Sequence, residues 1–272
     1  MIRPNYARLL AVGLVVAVGM TVAACGGGAE KTKTPGGYTV ELIDAKKLTV
    51  CTNIPYVPFQ FEKNGKTVGF DVDMVDLAAD ELGVKQDVID VKWDNIENGS
   101  ALSGGKCDLA AAAMTITPER EKNLTFSEPY FDEVIAFVAP KGKAPKSVED
   151  VGDRKLGVQA STTSLEYAKK HKLEPQEFED SAKQRAGLES GKVEVVLQDY
   201  PVITEWMKDE KFAAKYEVGQ IIETGSQYGF GFKKSADKTL VKVVNDQIKK
   251  AKDSKKYDEL YKKWFGTEPK AS

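Results

Sequence analysis

The 272-residue sequence carries one histidine, three cysteines and no excess of positive charge, with 39 Lys and Arg against 41 Asp and Glu. Each shortage narrows what the chain can do. The sole histidine, His171, lies in Lys169-Lys170-His171-Lys172 on a solvated helix face, so no metal centre is expected. No Walker A segment and no nucleophile paired with histidine is found, which removes nucleotide hydrolysis and triad chemistry and calls for no cofactor. A net charge of −2 gives no basis for a nucleic-acid partner. Apolar residues at 42%, charged at 29% and aromatic at 9% exclude disorder, collagen and coiled coil, leaving a soluble globular body.

The longest apolar run, Leu9 to Ala24, is shorter than the about 20 residues of a membrane helix but suits a secretory leader behind Arg3 and Arg8. It ends Val22-Ala23-Ala24-Cys25-Gly26, which resembles a lipobox. A lipoprotein signal peptide is therefore expected over 1–24, with Cys25 as the lipidated residue and a flexible tether over 25–39. Simple secretion with an incidental cysteine is the alternative. Removal of the leader would leave 37 cations and 41 anions, a mature charge of −4.

Lipidation at Cys25 leaves Cys51 and Cys107 as a possible pair in an oxidising compartment. Cys51 falls late in one strand and Cys107 at the start of another, and parallel pairing would set them beyond the roughly 7 Å Cα limit of a bridge. The spacing therefore weighs against a disulfide without excluding it.

From Lys47 onward short β-rich runs alternate with helical periods, which indicates sheets covered by helices. Strands are expected at Leu48–Thr52, Val88–Val91, Leu109–Ala113, Lys155–Val158, Val193–Leu197 and Gly229–Phe232. A helix is expected over Asp71–Leu82, stopped by Gly83, and another from Pro118 behind the N-cap Thr117. Lys47-Leu48-Thr49-Val50 resembles Lys155-Leu156-Gly157-Val158, and Ser103 to Asp108 resembles Ser190 to Glu194, in the same order, so two related α/β lobes are expected. Ligands of such sheets sit at the carboxyl ends of the strands, and a cleft between two lobes is a favoured place.

Several residues break local rules at those ends. Arg120 falls at N3 of the helix after Thr117, where a cation opposes the dipole. Beside Thr115 its planar fork suits a carboxylate, while a surface pair with Glu119 or Glu121 is the alternative. Ser161-Thr162-Thr163-Ser164 opens a helix whose free N–H groups can meet an anion, or simply be capped. Asp199 ends an apolar strand, available to an ammonium group or serving as a cap before Pro201. In Asn53-Ile54-Pro55-Tyr56-Val57-Pro58-Phe59, Tyr56 is the aromatic best placed for a cleft wall.

At Tyr56 to Phe59, Val68 to Asp73, Asp108 to Arg120, Phe126 to Tyr130 and Tyr257 to Pro269 the sequence resembles the bacterial solute-binding proteins, family 3, which serve amino-acid ABC importers. Within that family it runs nearest to the glutamine binders. The resemblance implies a two-lobed periplasmic-binding-protein fold of type II, each lobe a mixed α/β sheet flanked by helices, joined by two hinge strands. It places lobe 1 at 40–131 and 228–272 and lobe 2 at 132–227. It further implies Arg120 on a ligand α-carboxylate, helped by Thr115, the main chain at Ala113, and Thr162 and Thr163. Asp199 would hold the α-ammonium group and Tyr56 would pack on the ligand side chain.

Four positions depart from the glutamine-binding pattern: Asn53 stands for aspartate, Asn95 for an aromatic, Gln159 for lysine and Gln198 for histidine. Amides donate and accept, so a neutral polar ligand is the simplest fit, glutamine first. The implied role is an extracytoplasmic lipoprotein on the outer side of the cell membrane, with permease subunits as partners and the bilayer reached through acyl groups. No turnover is expected. A dehydratase-like enzyme on the same fold and a ligand-sensing lipoprotein are the alternatives, because fold does not settle function.

Overall fold

The computed structural model describes residues 31–269, so the leader, Cys25 and the first tether residues lie outside the described residues. Two five-stranded sheets organise the chain. In the first, Lys47–Thr52 lies between Lys85–Asp90 and Leu109–Ala110, parallel to both. Gly231–Lys233 and Leu124–Phe126 extend that sheet antiparallel. In the second, Leu156–Gln159 lies between Gln176–Phe178 and Val195–Asp199, again parallel to both. Phe131–Pro140 and Tyr216–Tyr228 complete it antiparallel. The two segments with similar sequence thus occupy equivalent places, each the middle of three parallel strands. Their near-continuous burial from Leu48 to Thr52 and from Leu156 to Gln159 reflects sheets covered on both faces.

The chain passes from the first sheet to the second between Phe126 and Phe131, and returns between Tyr228 and Gly231. Aromatic side chains pack this crossing. Phe131 stacks on Tyr228 at 5.4 Å and on Tyr261 at 5.7 Å, and meets Phe59 edge-on at 5.1 Å. Such ring pairs contribute about 0.5–1.5 kcal/mol each beyond their burial, so the crossing is anchored by the C-terminal helix Lys256–Phe265 as well as by both sheets.

Local rules explain the pieces that aim the site. The helix Phe70–Leu82 stops at Gly83, whose φ of 70° is left-handed, as the sequence predicts. At its other end Gly69 has φ 146°, and a Cβ there would lie 2.0 Å from the Phe59 carbonyl oxygen. That close approach lets the N–H groups of Phe70 and Asp71 donate to the carbonyls of Pro58 and Phe59, both at 3.0 Å, and clamps the Tyr56 loop onto the helix.

Four expectations are corrected. The tether does not reach residue 39, because Lys31–Lys33 pairs with Thr39–Glu41 in an antiparallel hairpin. Cys51 and Cys107 are joined by a disulfide with Cα atoms 5.6 Å apart. The strand after Cys107 is only Leu109–Ala110, with Ala110 opposite Cys51. Cys107 therefore belongs to the turn before the strand, which folds back over Cys51 instead of running alongside it. The expected strand to Ala113 stops at Ala110, and Ala113 itself, at φ 47°, lies outside the extended region. Finally, Pro118–Glu121 is a single turn; Thr117 caps it as expected, accepting from the Arg120 N–H at 3.2 Å.

Candidate functional site

The carboxyl ends of the parallel strands of both sheets converge on one cavity. Asn53 and Tyr56 follow Lys47–Thr52, and Ala113, Thr115 and Arg120 follow Leu109–Ala110. From the second sheet come Gln159, Thr162 and Thr163 after one strand and Asp199 at the end of another. The lobes touch across it. Trp93 Nε1 and Arg120 Nη2 both donate to the Ser161 carbonyl, at 2.9 and 3.1 Å, and the Ser181 hydroxyl donates to the Pro55 carbonyl at 2.9 Å.

Arg120 is only 5% exposed. Its Nη1 donates to the Thr115 carbonyl at 2.9 Å, Nε stands 3.8 Å from Glu97 Oε2, and the guanidinium lies 5.0 Å from the Trp93 ring centre. Glu119 pairs instead with Lys122, so the surface alternative does not occur. Facing Arg120, the helix Thr163–Lys170 is capped by the Thr162 hydroxyl, which accepts from the Leu165 N–H at 3.3 Å. The N–H groups of Thr163 and Ser164 have no partner within the helix, so together with Arg120 they form a seat for an anion.

Asp199 lies near the opposite charge. Its Oδ2 accepts from the hydroxyls of Tyr56, at 2.6 Å, and Tyr228. Burial first and then the charge of Glu133 push its carboxyl up to about 7, against the pull of those hydroxyls. Both tyrosines are pushed well above their ordinary range, chiefly by burial. Ala113 donates its N–H to Asp71 Oδ2 at 2.7 Å, so the main-chain group it has left to offer is its carbonyl. That corrects the expected role of Ala113: a carbonyl suits an ammonium group and not a carboxylate. Asp71 also accepts from the Tyr130 hydroxyl at 2.7 Å, and burial pushes its carboxyl up to about 7.

Amides and aromatics line the rest. Asn53 Nδ2 donates to the Val91 carbonyl at 3.1 Å, and Gln60 Nε2 to the Asn53 carbonyl at 3.3 Å. The amide oxygens of Gln60 and Gln159 are buried without a partner. Among buried polar groups such orphans are costly, and both belong to residues lining the cavity.

Two expected residues fall outside. Asn95 is exposed, because the short helix Trp93–Glu97 buries Trp93 and Ile96 and turns Asn95 to the other face. The aromatic found missing at 95 is present two residues earlier, as Trp93. Gln198 lies beside the cavity and supports it: its Oε1 accepts from the Asp199 N–H at 2.7 Å and stands 2.8 Å from the Tyr56 hydroxyl oxygen, whose hydrogen goes to Asp199. Sequence reasoning also missed Gln60 and Ala112. Trp93 had a usable signal, standing just past a parallel strand's carboxyl end; Gln60, inside a loop, had none.

The family described as bacterial extracellular solute-binding proteins, family 3, matches residues 48–267. Over 236 residues the chain is 29% identical to the putative ABC transporter arginine-binding protein 2 of Escherichia coli strain K12, covering 84% of this chain and 95% of that one. Over 210 residues it is 31% identical to the ABC transporter glutamine-binding protein GlnH of Bacillus subtilis strain 168, covering 76% of each. A solved structure of an ancestral arginine-binding protein bound to glutamine superposes with a TM-score of 0.75 at 35% identity, covering 82% of this chain and 99% of that one.

Proposed function

Because the chain belongs to the bacterial extracellular solute-binding proteins, family 3, we propose that its cleft captures one free L-amino acid and delivers it to the permease of an ABC importer. The observation that carries this reading is a buried guanidinium and a buried carboxyl group, Arg120 and Asp199, brought from different lobes into one cavity. Arg120 and the first turn of Thr163–Lys170 take the α-carboxylate; Asp199 and the Ala113 carbonyl take the α-ammonium group. Lobe 1 is 40–131 with 228–272 and lobe 2 is 132–227. A ligand held by both favours the closed form over the open one and shifts the population toward it.

The variable end of the cavity offers Tyr56, Trp93, Asn53, Gln60 and Gln159, with no charged side chain among them. Glutamine is the first ligand to test, since its amide hydrogens match orphaned amide oxygens. Basic amino acids are the second, favoured by the two unpartnered acceptors and by the acidic groups Glu97, Glu133 and Asp199 around the single cation Arg120. A thermal-shift panel of the twenty amino acids separates them, because a ligand at 100 times its Kd stabilises by about 2.7 kcal/mol. Recovery of the ligand unchanged after incubation distinguishes capture from turnover. No stabilisation by any amino acid would end the reading.

Asp199 makes binding depend on pH. With its carboxyl near 7 in the empty cavity, an arriving ammonium group favours the carboxylate. The bound form then holds fewer protons than the empty form, so affinity falls as pH drops below 7. Calorimetry at about pH 6, in buffers of different ionisation heat, should register proton release; none would mean that Asp199 is ionised before the ligand arrives.

Anchoring belongs to the same proposal. If Cys25 carries the lipid, six residues precede or reach the hairpin at Lys31, and the body stands within about 20 Å of the bilayer. Cys25→Ala should appear in the soluble fraction; retention with membranes would exclude the anchor.

A further inference from the structure

Glu133 lies on the crossing strand Phe131–Pro140, is 2% exposed, and has entered so far only through its charge. One of its oxygens, Oε1, accepts from the Thr115 hydroxyl and from the Thr163 hydroxyl, both at 2.6 Å. The two threonines come from opposite sides of the cleft: Thr115 follows the first sheet's Leu109–Ala110, and Thr163 opens the helix after the second sheet's Leu156–Gln159. Both line the cavity.

A hydroxyl has a single hydrogen to give. With that hydrogen committed to Glu133, each threonine presents only lone pairs to whatever else it meets. Two groups that would otherwise bond donors and acceptors alike become acceptors. We propose that Glu133 is a positioning residue that fixes the polarity of Thr115 and Thr163, so that the cleft demands a ligand nitrogen bearing hydrogens and discriminates against 2-hydroxy acids and 2-oxo acids of the same shape. The arrangement is complete only when the lobes meet, since its two donors come from different sheets. This corrects the expectation that Thr115 helps hold the carboxylate through its hydroxyl, since a hydroxyl whose hydrogen is spent cannot donate to an anion; the main-chain N–H groups at Thr163 and Ser164 are unaffected. It rests on the amino-acid reading above and sharpens it.

The test measures the affinity ratio between the amino acid that gives the largest thermal shift and its 2-hydroxy analogue, in the full chain and in variants. Glu133→Gln keeps an amide oxygen able to accept from both hydroxyls while removing the charge. Glu133→Met removes the acceptor with similar volume. The ratio should stay within about threefold of wild type in Glu133→Gln and fall about tenfold or more in Glu133→Met, where the hydroxyls are free to donate. An equal fall in both variants would assign the effect to charge and overturn the polarity role; an unchanged ratio in both would remove Glu133 from specificity altogether. Should Glu133→Met not fold, Thr163→Val carries the same test, since loss of one oriented acceptor must lower the ratio and an unchanged ratio refutes the proposal. Failure of wild type to bind any amino acid is a separate result, which refutes the functional reading and not the geometry at Glu133.

Discussion

Arg120→Ala weakens amino-acid binding by about 2–5 kcal/mol, the range for removing one partner of a buried charge pair. The guanidinium is 5% exposed and already desolvated, so a carboxylate placed against it gains the contact at little further cost. Without it the ligand's anion would enter a cavity bordered by the acidic side chains Glu97, Glu133 and Asp199, with its cation gone. Arg120 also holds the Thr115 and Ser161 carbonyls, one from each side of the cleft, so truncation loosens closure as well as contact. Arg120→Lys should lie between, keeping the charge but losing the fork. Lys122→Ala, two residues on and exposed, should change affinity by less than about 0.5 kcal/mol. Titration calorimetry with the preferred amino acid decides it: near-wild-type affinity for Arg120→Ala would remove Arg120 from the site.

Much of the site was legible because its residues violate local rules. A cation at N3 where an acid would cap, and an acid ending an apolar strand, have no economical structural use. The cavity brings both together. The repeat of Lys47 to Val50 at Lys155 to Val158 was readable for a similar reason: two equivalent strands meet the same burial on both faces. The helix Phe70–Leu82 was legible from its period and its glycine stop, and it buries Met74, Val75, Ala78, Ala79 and Leu82 as that period requires.

What stayed hidden depended on turns and on hydrogen-bond direction. Asn95 was placed in the pocket by matching positions along the sequence, but a short helix rotates successive residues by about 100°, and burial of Trp93 with Ile96 carried Asn95 outward. Ala113 was expected to donate to a carboxylate. Its N–H is instead spent on Asp71, 42 residues earlier, a pairing that no local pattern announces. Glu133 drew no attention because an acid on a strand looks like a solvent-facing residue; only the tertiary fold shows that two threonines from separate sheets share one of its oxygens.

The disulfide gives the second large effect, on stability and not on recognition. Cys51 and Cys107 close a loop spanning 56 positions, for which loss of chain entropy in the unfolded state corresponds to about 4 kcal/mol as an upper figure. Cys51→Ala/Cys107→Ala should therefore lower stability by about 2–4 kcal/mol, or about 5–15 °C in melting temperature for a chain of this size. Alanine avoids burying a hydroxyl where Cys51 and Cys107 are 0% and 2% exposed. The bridge ties Lys47–Thr52 to the turn that leads into Leu109–Ala110, and those two strands lead on to Asn53 and Tyr56 and to Ala113 and Thr115, so the bridge braces the base of one wall of the cavity. Their register does not depend on it, because Val50 faces Leu109 and Cys51 faces Ala110 through the sheet, and Asp108 accepts from the Thr49 N–H at 2.8 Å and the Ile43 N–H at 2.8 Å. Affinity should accordingly change less than about threefold while the melting temperature falls. Scanning calorimetry and ligand titration on the same variant read both quantities. A melting temperature within about 2 °C of wild type would show that this loop is already constrained in the unfolded chain, whereas a large loss of affinity at unchanged stability would mean that the bridge itself shapes the cavity wall.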